Sequence, residues 1–148
     1  MKLVTTIFFL LMMKASANEA FTFGPIINFH LSSFLDNSYG VEGAYWRNIT
    51  GSRLPWCFDF GMETSQNNYS VYSELQIGLG FYGLSVGPVY ENTYANPSAG
   101  SLSLQASVWL NAFIGTAYRY KASKYYKQPH ALSIYYKELW DTDGSRIK

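Results

Sequence analysis

Eight charged residues share one parity within alternating stretches of the chain: Glu42, Asp59, Glu63, Glu74, Glu91, Arg119, Lys121 and Lys137. Gathered on one face, they could gate solute or protons, or hold a catalytic carboxylate. Charges confined to a narrow interior are tolerated only when they pair and hydrogen-bond. A lumen polar network, with Glu42, Asp59 and Glu74 meeting Arg119 and Lys137, is therefore the expected role of the set.

Nucleophilic and metal chemistry find less support. His130, with Ser133 and Glu138, is the nearest thing to a Ser–His arrangement. Positions 130 and 133 have opposite parity, so on a regular strand they face opposite sides. A nucleophile and its base must come within about 3 Å. His30 lies on the polar parity beside Asn28. Cys57 is the single cysteine, with no motif to activate it, and reads as a small buried residue. Two histidines and one widely separated cysteine lack zinc-ligand spacing. The glycines of Gly78-Leu79-Gly80 fall in a strand and turn, not in a phosphate-binding loop. No catalytic residue, metal or cofactor is expected.

The elements that must position the charged set are strands. From Phe21 to about Leu139 the chain alternates with a period of two. The first stretch places Phe21, Phe23, Pro25, Ile27, Phe29 and Leu31 on one face, and Thr22, Gly24, Ile26, Asn28 and His30 on the other. Eight strands are expected: Phe21–Leu31, Tyr39–Trp46, Trp56–Glu63, Tyr69–Leu79, Leu84–Glu91, Ser101–Asn111, Ile114–Lys121 and Ala131–Leu139. Most have the 9–11 residues that a tilted membrane-crossing strand needs. Expected loops at one end are 33–38, 64–68, 92–100 and 122–130, with shorter turns at the other from the third strand onward.

Composition narrows the setting. Leu3–Met13 has the length of a signal-peptide core, and Ala15-Ser16-Ala17 fits an A-x-A cleavage site, so 1–17 is expected to be a cleaved leader. The barrel then occupies 18–140 and a short tail 141–148. Without Lys2 and Lys14, nine basic residues stand against ten acidic, which implies no pull on nucleic acid. Charged residues make up 14% of the chain and aromatics 18%. A soluble domain usually carries about 25% charged residues. With the apolar parity outward, this composition suits a wall facing lipid with aromatic belts at its rims. With it inward, a soluble calyx would present Gly, Ser and Ala to water. The fold class expected is all-β, an eight-stranded antiparallel up-and-down transmembrane barrel, its lumen filled by side chains.

In this pattern, Phe21 to Trp140 resembles the small eight-stranded outer-membrane proteins, the OmpA transmembrane domain and OmpX group. The resemblance implies a Gram-negative outer-membrane location and a non-enzymatic structural or surface-contact role in the cell envelope. It also implies a final aromatic strand read by the barrel assembly machinery. Leu132, Ile134, Tyr136 and Trp140 match that row; Glu138 and the extension Asp141–Lys148 depart from it. Lys124 and Lys127 could meet lipopolysaccharide phosphates, with Tyr125 and Tyr126 at the interface. Outer-membrane lipid, lipopolysaccharide and an unidentified protein are the partners expected. Two rivals stand beside this reading: an outer-membrane lipid-modifying enzyme, and a secreted soluble barrel binding an apolar ligand.

Overall fold

The computed structural model describes residues 19–31, 37–48, 54–78, 81–111, 114–122 and 129–141. The expected leader, the tail beyond Asp141 and the residues Lys124, Tyr125, Tyr126 and Lys127 lie outside them. Strands dominate: β1 Glu19–His30, β2 Ser38–Arg47, β3 Trp56–Thr64, β4 Asn68–Gly78, β5 Tyr82–Thr93, β6 Asn96–Asn111, β7 Gly115–Lys121, β8 His130–Tyr135 and β9 Glu138–Asp141. Each pairs antiparallel with the next along the chain through β8, and β1 pairs both with β2 and with β8–β9. The sheet therefore closes into an eight-staved up-and-down barrel.

Segments β8 and β9 are one stave. Ile26 opposes Tyr135 and Phe23 opposes Glu138, so the register is unbroken across the gap. The gap falls opposite Pro25, which has no N–H to give the ladder. The Pro25 carbonyl still accepts from Tyr136 N at 3.1 Å. Neighbouring Gly24 allows the close approach: a Cβ there would sit 1.7 Å from the Tyr136 carbonyl oxygen.

The register also fixes the barrel's shape. From Ala20, successive partners are Trp46, Cys57, Gln76, Ser85, Ser107, Arg119 and Ala131, and the circuit returns to β1 at His30. One turn thus climbs from residue 20 to residue 30. Eight strands with that stagger tilt by about 40° and enclose a radius of about 8 Å, wide enough for side chains and little else.

Two expectations about connections need correction. Residues 92–100 are not a loop. Strand β5 runs to Thr93 and β6 starts at Asn96, leaving a two-residue turn, Tyr94-Ala95. Glu91 pairs with Ser101 and Thr93 with Asn96, so Asn92 alone faces the bulged residues 97–100. Its Nδ2 donates to the Pro97 carbonyl at 2.7 Å and bridges the bulge. Composition rich in Asn, Pro and Gly marks turns and bulges alike. From β3 to β7 the expected alternation of long and short links is also absent: 65–67, 79–81, 94–95 and 112–114 span two or three residues each.

Candidate functional site: the polar lumen and the apolar outer face

The polar parity points inward. Glu42, Asp59, Glu63, Glu74, Glu91, Arg119 and Lys121 are all buried, and the Lys137 side chain is 9% exposed. The register brings these residues, far apart in sequence, into three groups.

In the first, Glu42 from β2 is the hub. Its Oε2 accepts from the Tyr72 hydroxyl and from Arg119 Nη2, and its Oε1 pairs with Lys137 Nζ. Lys137 also reaches Asp59 Oδ2 at 3.0 Å, and Gln76 Nε2 donates to that same oxygen. The Arg119 guanidinium lies over the Tyr72 ring, 4.9 Å from its centroid. Tyr72 fits because Gly61 opposes it on β3: a Cβ there would stand 2.4 Å from the ring.

The second group surrounds Glu63, nearer the end where β7 finishes. Its Oε1 takes Lys121 Nζ and the Ser70 hydroxyl at 2.9 Å; its Oε2 takes Asn28 Nδ2 and the Ser38 hydroxyl at 2.9 Å. Ser133 Oγ donates to Asn28 Oδ1. Glu91 Oε1 lies 3.8 Å from Lys121 Nζ. In the third group, Glu74 accepts from Ser85 Oγ at 2.9 Å and Gln105 Nε2 at 2.8 Å, with no ion pair to it among the described residues.

The other end of the lumen is apolar. Trp109 packs edge-on against Trp46, centroids 5.9 Å apart, and Ile26, Ala117 and Tyr135 join them. Glycines make the room. A Cβ on Gly78 or Gly83 would stand 2.6 and 2.4 Å from the Trp109 ring, and one on Gly115 1.9 Å from Tyr135. Spacing and residue type single out none of this plug. Its one signal is parity: Trp109 alternates in step with Ser107 and Asn111, on the side where strand ends carry Gly78, Gly83 and Gly115.

The outer face has a different order. Along β5 the outward residues run Tyr82, Leu84, Val86, Pro88 and Tyr90, an aliphatic stretch between two tyrosines. Tyr39, Tyr69, Tyr90 and Tyr120 continue the ring at one level; Tyr45, Trp56, Tyr82, Tyr136 and Trp140 lie near the other. Tyr82 and Tyr90 are separated by about 20 Å along the barrel axis, from strand rise and tilt. Among the described outward residues between the rings, none is charged. Glu138 breaks the row at the level of the lower ring; at the adjoining ends of β1 and β2, Arg47 and Glu19 form an exposed pair at 2.7 Å.

His130 and Ser133 do not meet: His130 is on the outer face and Ser133 is fully buried inside. His30 is buried in the lumen. Cys57 is a free, buried thiol. No group of His, Cys, Asp and Glu among the described residues could hold a metal. No family model matches the chain, and no curated protein matches it.

Proposed function

We propose that this protein is a small outer-membrane barrel of the OmpA transmembrane domain and OmpX kind, with a non-enzymatic structural or surface-contact role in the cell envelope. One observation carries the reading. Among the described residues a charge-free apolar band lies outside, between two aromatic rings, while paired charges fill the inside. A bilayer imposes that arrangement on a barrel, with an outward apolar band about 25 Å tall and aromatic girdles at both interfaces. A calyx for an apolar ligand would need Phe58, Leu75 and Val108 inside; they are 48%, 53% and 52% exposed on the outer face. A lumen packed with side chains leaves little space for solute, so passive support of the envelope fits better than transport.

The outward row Leu132, Ile134, Tyr136 and Trp140 on the last stave is the segment we assign to the barrel assembly machinery. Lys124 and Lys127, with Tyr125 and Tyr126, are the residues we assign to lipopolysaccharide. Fractionation of cells expressing the full chain tests the reading, with each fraction run boiled and unboiled on a gel. Recovery in the outer membrane with a heat-dependent mobility shift is expected. A folded, monodisperse protein in the soluble fraction would overturn it.

A further inference from the structure

On the outer face, the described residues around Ala106 form a groove. The outward row of β6 reads Leu102, Leu104, Ala106, Val108 and Leu110, and Ala106 is its one small member. Ala106 stands in register with Val86 on β5 and Tyr120 on β7. The missing bulk leaves a groove of about 500 Å³, walled by Leu75, Leu84, Val86, Val108, Tyr118 and Tyr120. That is the size of a small-molecule site rather than of a protein contact.

The lining of the groove is almost wholly apolar. Tyr118 and Tyr120, two of its walls, also hold His130. The Tyr118 hydroxyl and His130 Nδ1 are 2.6 Å apart, with the two rings stacked at 5.7 Å between centroids. The Tyr120 ring lies 5.4 Å from the imidazole on a tilt. With Nδ1 engaged by Tyr118, Nε2 is the nitrogen left for a ligand. An apolar trough walled on one side by two phenols, with the imidazole that they hold beside it at the level of an aromatic ring, is complementary to an amphiphile with an acidic head.

We infer that this groove binds one phosphate-bearing membrane lipid, an acyl chain lying over Ala106 and the phosphate accepting from His130 Nε2. The inference rests on the lipid-facing reading of the outer wall. It goes beyond that reading by assigning one lipid, in one place, with a head-group requirement.

Native mass spectrometry of the full chain in detergent, titrated with phosphatidylglycerol, tests it. Diacylglycerol with the same chains and inorganic phosphate serve as partial ligands. One retained phosphatidylglycerol is expected, with neither diacylglycerol nor phosphate retained. Ala106→Phe, which fills the trough, and His130→Ala, which removes the head-group donor, should each abolish the adduct. Val41→Phe places the same ring on β2, across the barrel, and should leave the adduct intact. Equal retention of diacylglycerol, or equal loss in all three variants, would overturn the site. A barrel that shows the heat-dependent shift but holds no phosphatidylglycerol overturns the site alone. A protein with neither shift nor adduct overturns the lipid-facing reading as well.

Discussion

The two halves of the lumen solve one packing problem with opposite chemistry. Around Glu42 and Glu63 the space is filled by charges and their hydrogen-bond donors, drawn from strands all around the barrel. Around Trp109 it is filled by rings laid against glycine backbone. The charged half depends on matched partners, since removal of one member leaves another buried without compensation. The aromatic half depends on fit, since it tolerates no added atom on Gly83 or Gly115. One barrel wall thus carries a part sensitive to charge and a part sensitive to volume.

The comparison breaks most sharply at Glu42. Glu42→Ala leaves Arg119 and Lys137 without their shared carboxylate and should cost about 3–5 kcal/mol. Urea unfolding of the barrel in vesicles, followed by the boiled and unboiled gel shift, reads this directly. Trp109→Ala should cost about 3 kcal/mol by leaving a cavity. It should also differ in kind, because it opens the plugged end: planar-bilayer conductance should rise in Trp109→Ala. Unchanged conductance would mean that the charged half alone seals the lumen.

Smaller effects sharpen the contrast. Glu74 is held by a hydroxyl and an amide and by no ion pair among the described residues. Glu74→Gln keeps the shape and most of the hydrogen bonding, so its cost should stay within about 1 kcal/mol. A loss as large as that of Glu42→Ala would show that Glu74 is part of the charge balance. Arg47→Ala, at the exposed Arg47–Glu19 pair, should leave the unfolding midpoint unchanged in low and high salt alike.

Much of this architecture is legible in the amino-acid sequence. A two-residue period is a local property, so the strands and the sidedness of Glu42, Asp59, Arg119 and Lys137 follow from spacing alone. Which acid meets which base does not. Arg119 reaches Glu42 across 77 positions in sequence, a meeting set by the stagger of the closed barrel and not by any local pattern. The plug is hidden for a different reason. Trp46 and Trp109 are apolar residues on the polar parity, and an average over the parity conceals them. The hairpin at Asn92 is hidden because Asn96-Pro97-Ser98-Ala99-Gly100 has the composition of a loop while forming a bulged strand.

The central claim is that the apolar wall meets lipid while the lumen does not. Single-tryptophan variants in vesicles of brominated lipid test it most directly. One keeps Trp56, on the outer face, and the other keeps Trp109, in the plug, with the remaining tryptophans replaced by phenylalanine. Strong quenching of Trp56 fluorescence, with Trp109 unaffected, is the predicted result. Quenching of Trp109 with Trp56 untouched would contradict the claim and turn the barrel inside out.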